Sequence, residues 1–210
     1  FSSRNHHNVR NCTFIHQQTM QENTVEQDLI SMTDLIEELF CVMPDDSDVY
    51  VIESNHDNAL STWLLNEDFK KDRINAITYL KCMLAWYEHQ REHPLDEFNM
   101  LEYAYTNIGG GTYFPNLRFN RVGESLVIAH TEHSCHGHLG ISGAKGSPTS
   151  FRKLGMALNS GHTHSPQICG RVWVAGVTAS LNLGYNKGIS SWAIGHIFTY
   201  ENGQRQLIFC

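Results

Sequence analysis

An α/β domain is what this sequence predicts, and three observations predict it. Its 210 residues with 41% hydrophobic content are enough for one sizeable core and too short a chain for several domains. Between residues 24 and 57 a helix-period pattern leads straight into a short β-branched run, the texture of a helix–strand–loop unit. Beyond Pro94 the pattern changes to short strands broken by glycine.

The first helix is signposted from Asn23. Thr24 and Gln27 stand at capping-box spacing, and Val25, Leu29, Met32, Ile36, Leu39 and Phe40 recur at helical spacing until Pro44 and the acidic turn Asp45-Asp46-Ser47-Asp48 end it. Val49-Tyr50-Val51-Ile52 has the length and branching of a buried parallel strand. It runs into Glu53-Ser54-Asn55-His56-Asp57, a polar cluster at a strand's C-terminal end, where open α/β sheets place their ligands. Residues 72–89 read as a second helix with Ile74, Ile77, Leu80, Leu84 and Tyr87 on one face, closed by Pro94. Short strands are expected around Tyr103, at Leu117–Phe119 and at Leu126–Ala129, interrupted by Gly109-Gly110-Gly111. Further strands are expected near Val172–Val174, Trp192–Tyr200 and Gln206–Phe209, and Asn202-Gly203 between the last two is a strong hairpin signal.

The formal charge of −7 excludes a general basic field of the kind that grips nucleic acid non-specifically, so any DNA binding must be local, metal-assisted or carried outside this stretch. Six cysteines without a CxxC pair point to a reducing cytoplasm. No run of about eighteen apolar residues and no signal-peptide core occur, so a soluble cytoplasmic chain with no membrane segment is expected. Phe1 runs into Ser2-Ser3-Arg4-Asn5-His6-His7 like a loop in progress, which reads as an internal cut in a longer protein.

Six of the thirteen histidines fall between 130 and 164: His130, His133, His136, His138, His162 and His164. Such crowding is costly unless a metal or neutral packing organises it, and imidazole suits Zn, Mn and Fe. In Gly161-His162-Thr163-His164, an extended loop would turn residues i and i+2 to one side, so that His162 and His164 reach two neighbouring ions; the bland reading is a polar surface turn. In Asn55-His56-Asp57, the asparagine carbonyl is a neutral oxygen ligand, His56 a proton donor and Asp57 a group that orients the imidazole; the bland reading is an Asx-rich turn capping the next helix. Cys135 beside His136 reads as a buried structural thiol, and His16, His89, His93 and His196 as surface or core histidines. Trp63, Trp86, Trp173 and Trp192 read as packing.

The order of these motifs, a strand followed by Ser54-Asn55-His56-Asp57, then a histidine, then Gly161-His162-Thr163-His164, resembles the calcineurin-like metallophosphoesterases, a superfamily that includes a DNA-repair nuclease. Serine replaces the usual glycine of GNHD at 54, a backbone position. The segment from His136 to Ser147 is similar to the HGxxGxxGxxGS stretch of phage-encoded members, as is the tail Leu183 to Trp192, and the likeness is nearest to the host-DNA-degrading nucleases of T5-type bacteriophages. The middle-motif histidine is His136, or else His130 at the end of Leu126-Val127-Ile128-Ala129; His136 is favoured.

This resemblance implies a two-sheet β-sandwich flanked by helices, of which residues 1–210 form the C-terminal part of a single metallophosphoesterase domain, its N-terminal strands lying upstream. It implies two-metal hydrolysis of DNA, with Asn55, His136 and His162 on one divalent ion and His164 on the other. His56, oriented by Asp57, protonates the leaving oxygen. Mixed oxygen and nitrogen ligands favour Mn²⁺, with Mg²⁺, Zn²⁺, Ni²⁺ or Fe as alternatives. The family's DxH and GDxxD motifs do not occur in the sequence, and an N-terminal segment of the same protein is expected to supply them, with Arg4, His6 and His7 near the site. Lys145, Arg152 and the glycine-rich stretch 137–146 are either phosphate contacts or a plain surface loop. The alternatives are a nucleotide or phosphoprotein phosphatase and a non-catalytic metal-holding role, and assembly into a homo-oligomer is left open.

Overall fold

The computed structural model describes residues 24–66, 68–181 and 188–210. The readings made of Phe1, Arg4, His6, His7 and His16, and of tail residues 183–187, lie outside these. The chain divides into two compact units, Phe1–Phe119 and Asn120–Cys210, and it mixes helices with strands.

The first unit is mostly helical. Helix α1 (Val25–Val42) starts where Thr24 accepts a hydrogen bond from the Gln27 N–H, the capping contact that the spacing predicts. Strand β1 (Val49–Ile52) leads through the 54–57 turn into α2 (Asn58–Asn66). A 3₁₀ turn at Arg73–Asn75 opens α3 (Ala76–Glu92), and α4 (Met100–Asn107) follows. The core gathers Val25, Leu29, Leu60, Trp63, Leu64, Cys82, Met100, Ala104 and Ile108. Full burial of one such leucine contributes roughly 2 kcal/mol.

Two expectations fail in this unit, and a helix that forms as expected turns a different face to the core. Around Tyr103 the chain is helix, not strand: the Asn99 side chain caps the Glu102 N–H, and Met100, Leu101, Ala104, Tyr105 and Ile108 are buried at helical spacing, which overrides the aromatic content. Strand β1 is not buried on both faces; it forms a two-stranded sheet with β2 (Leu117–Asn120), the Val49 N–H donating to the Asn116 carbonyl at 2.9 Å, and Tyr50 is exposed. On α3 the apolar face Ile77, Leu80, Leu84 and Tyr87 is exposed, while Thr78 and Cys82 are buried with Tyr79, Met83 and Trp86 against the core. Periodicity gives a stripe, but not which of two flanking stripes finds a neighbour.

The second unit is a five-stranded mixed sheet in the order β3-β4-β5-β7-β6 and a separate hairpin. Strands β3 (Val127–Ile128) and β4 (Thr131–Glu132) are antiparallel, β4 to β5 (Ala157–Ser160) and β5 to β7 (Val172–Val174) are parallel, and β6 (Gln167–Cys169) runs antiparallel to β7. Phe151, Leu158 and Val172 form its core, with Cys135 packed against them. The hairpin pairs β8 (Gly195–Thr199) with β9 (Arg205–Phe209) across the expected Asn-Gly turn, where Gly203 takes φ +78°. The strand nearest the histidines, β5, carries no sequence signal of its own; it is central because both its neighbours run parallel to it.

Among the described residues no helix is long and apolar enough to cross a membrane. Cys41, Cys82, Cys135, Cys169 and Cys210 are free thiols.

Candidate metal centre

Two loops of the second unit bring three histidines together. The first leaves β4 and carries His136 and His138; the second leaves β5 and carries His162. The His136 carbonyl accepts hydrogen bonds from the N–H groups of both Gly161 (3.0 Å) and His162 (2.9 Å), which clamps the loops to each other. Gly137 lies between the first two histidines at φ +109°, a conformation L side chains rarely adopt, and a methyl there would press on the Cβ of His162 at 3.3 Å. Gly146 donates its N–H to the His138 carbonyl at 3.0 Å, and a methyl on it would overlap the Gly137 carbonyl oxygen. Gly137 and Gly146 therefore pack backbone closely under the histidines. Lys145 and Arg152 are exposed.

At the foot of the first loop sits Glu132, buried in the sheet. Its carboxylate accepts from the hydroxyls of Ser125 and Ser134 and from the N–H groups of Leu126 and Ser134. Sequence reasoning missed this anchor, because nothing in the spacing of a lone glutamate beside a histidine announces four donors.

The ring nitrogens His162 Nδ1 and His136 Nε2 face each other at 3.2 Å. Either one donates to the other, or both direct lone pairs at a shared electrophile. Two nitrogens bound to one ion at about 2.1 Å and roughly 100° apart would lie about 3.2 Å from each other, so the pair has the spacing of a metal seat. His138 completes a triangle with ring centroids 5.4 Å from His136 and 6.1 Å from His162, the last two rings being 5.1 Å apart. Burial pushes the His138 imidazole below its ordinary value, favouring the neutral form that can act as a ligand. Thr163 Oγ1 is also buried without a hydrogen-bond partner beside this cluster.

His164 does not follow the extended geometry expected of it. Residues 162–163 form a turn, the His164 N–H reaches back to the Gly161 carbonyl (3.3 Å), and His164 takes φ +59°. The i, i+2 rule of a strand therefore does not apply, and the His164 ring stands edge-on against Trp192 at 4.4 Å. Burial lowers its pKa. Trp192, read from sequence as packing, thus packs on a candidate ligand.

His130 is exposed in the tight turn between β3 and β4, with Ala129 and His130 both at positive φ, while His136 is the histidine beside His162. His133 lies near the Asn159 amide (3.4 Å), which also donates to Thr199 Oγ1 and accepts from Arg205. Burial lowers the His133 pKa. Burial pushes the Cys135 thiol up to about 11, an inert thiol.

Asn55, His56 and Asp57 lie half-buried in the turn after β1 of the first unit. Ser54 is more than a backbone position. Its hydroxyl accepts from the N–H groups of His56 (3.2 Å) and Asp57 (3.3 Å) and donates to Asp57 Oδ2 (2.7 Å), while its own N–H donates to the same oxygen (2.9 Å). This reciprocal Ser-x-x-Asp box launches α2 and fixes the turn on which Asn55 and His56 sit. It also commits Asp57 to the turn, so the carboxylate has a structural task whatever it does for the imidazole. The spacing of Ser54 and Asp57 was the signal for it.

Among the described residues, no three His, Cys, Asp or Glu side chains have donor atoms already gathered to hold an ion. The histidines fit a two-nitrogen seat with a third imidazole beside it, and the neutral donor set suits Mn, Zn or Fe.

Across 211 aligned residues the chain is 44% identical to Protein A1 of Escherichia phage T5, a match that takes in 99% of this chain and 37% of that protein. Identity of this extent is homology, so the chain is a relative of a bacteriophage protein and spans little more than a third of its length. No protein-family model matches the chain, and no solved structure matches it.

Proposed function

We propose that residues 1–210 are part of a calcineurin-like metallophosphoesterase, a metal-dependent phosphodiesterase that degrades DNA, host DNA in the setting of phage infection. The observation that carries this reading is the His136–His162 pair, two imidazole nitrogens 3.2 Å apart on loops clamped by a shared carbonyl. The order of motifs supports the superfamily, and the likeness to a T5 protein supports the phage setting.

Two divalent ions, with Mn²⁺ first among the candidates, supply when bound a neutralising charge for the phosphoryl oxygens and activation of water. His136 and His162 would offer nitrogens to one ion and His164 its ring to the other, while Asn55, on the first unit, carries a neutral carbonyl of the kind such ions accept. His56 donates a proton to the leaving oxygen, which would otherwise depart as an alkoxide. Ser54 and Asp57 hold the His56 backbone in place through the capping box, so the acid is positioned before substrate arrives. The buried Glu132 and the Gly137–Gly146 contact do the same for His136.

The test is incubation of the whole protein with linear duplex DNA in EDTA, Mg²⁺ or Mn²⁺, with a His56→Ala variant alongside. Degradation that needs Mn²⁺ or Mg²⁺, is stopped by EDTA and falls at least a hundredfold in the variant is the expected result. Untouched DNA under all conditions would contradict it. The formal charge of −7 favours a second reading, a nucleotide or phosphoprotein phosphatase, since it offers no general grip on DNA; turnover of a small phosphomonoester alongside intact DNA would establish that reading instead.

A further inference from the structure

We propose that His138 is a third nitrogen ligand of the ion seated by His136 and His162. This role presupposes the metal seat proposed above, and it belongs to a position that the HGxxGxxGxxGS pattern leaves unspecified.

Both ring nitrogens of His138 are buried and lack a hydrogen-bond partner. A neutral imidazole has one N–H and one lone pair, and burying both unpaired forfeits their hydration with nothing in return. Buried polar groups in native proteins are nearly always satisfied, and an exception calls for a missing partner such as an ion. The position of the ring says which partner. The point equidistant from the centroids of His136, His138 and His162 lies about 3.2 Å from each, and an imidazole binding an ion at about 2.1 Å has its ring centre roughly 3.2 Å from that ion. Three rings therefore stand at the radius of one coordination sphere. In the structure no three-donor set is gathered among the described residues, so on this assignment the His138 ring turns a nitrogen to that point when the ion binds.

The backbone supports the same assignment. His138 is held by the Gly146 N–H on its carbonyl, and Gly137, at a φ that L side chains rarely adopt, lets the chain bring His136 and His138 to the same place. A histidine that merely filled space would gain nothing over an apolar ring of similar volume, since its two nitrogens bond to nothing.

The test is an equilibrium titration of the metal-stripped whole protein with Mn²⁺, read by the EPR signal of free Mn²⁺, for wild type, His138→Gln, His138→Phe and His162→Ala. Thermal unfolding of each metal-free variant verifies the fold. His138→Phe keeps the ring volume and packing while removing both nitrogens. A ligand role predicts that His138→Gln and His138→Phe each weaken one Mn²⁺ site tenfold or more, as His162→Ala does. Wild-type binding by His138→Phe, with His162→Ala weakened, would leave the metal seat standing and overturn the role of His138. Wild-type binding by all three variants would remove the metal seat itself, and the role of His138 with it.

Discussion

Burial alone would raise the Glu132 carboxyl, yet hydrogen bonds from the hydroxyls of Ser125 and Ser134 and from the amides of Leu126 and Ser134 hold it down at about 2. Because the folded value lies below the ordinary 4.5, the unfolded chain takes up the proton first as pH falls. The stabilisation is thus complete above the ordinary value and is lost as pH drops toward about 2. At roughly 1.4 kcal/mol per pKa unit it amounts to about 3 kcal/mol. Glu132→Gln is expected to lower the stability of the protein by about 2–3 kcal/mol at neutral pH, since it leaves donors facing an amide. It should also flatten the fall in stability between pH 4.5 and 2. Urea unfolding at neutral and acidic pH measures both; an unchanged pH profile in the variant would show that the anchor is not this carboxylate. Ser54 teaches a related lesson at the same scale. Read from the sequence as a backbone position only, Ser54 closes with its hydroxyl the turn that carries His56.

The elements that carry the histidines are short, and their geometry depends on glycine where two backbones touch. Gly146→Ala must push the Gly137 carbonyl away, because a methyl on it overlaps that oxygen. The displaced loop carries both His136 and His138, so the substitution is expected to weaken Mn²⁺ binding at least tenfold while costing about 1–3 kcal/mol of stability. Calorimetry and metal titration of the same sample read the two effects; a stable variant with wild-type Mn²⁺ affinity would show that the loop contact does not position the ring pair. Much of this level was legible in the sequence. The Thr24 cap, the strand at 49–52, the Asn202-Gly203 hairpin and the proximity of His136 to His162 follow from local chemistry or motif order. What was not legible depended on partners distant in sequence. Tyr103 is helical because Met100, Ala104 and Ile108 reach the core of the first unit, and β5 exists because β4 and β7 pair with it on either side. The turn at His162–Thr163 was hidden for another reason: φ +59° at His164 is unusual for any residue but glycine, and no sequence rule places it there.

The chain as a whole is acidic, mixes helices with strands in two compact units, and is homologous over nearly all its length to 37% of a phage protein. Those properties bear on setting; the proposed chemistry rests on the imidazole pair. A charge of −7 predicts that any DNA affinity is carried locally and through metal, with only a shallow dependence on salt. The central claim is that one divalent ion sits between His136 Nε2 and His162 Nδ1. Crystals of the whole protein grown with Mn²⁺, measured at the manganese absorption edge, test it directly. The account predicts an anomalous peak about 2.0–2.3 Å from both nitrogens. Crystals soaked in millimolar Mn²⁺ that show no peak there, with the two rings still hydrogen-bonded to each other, would contradict it.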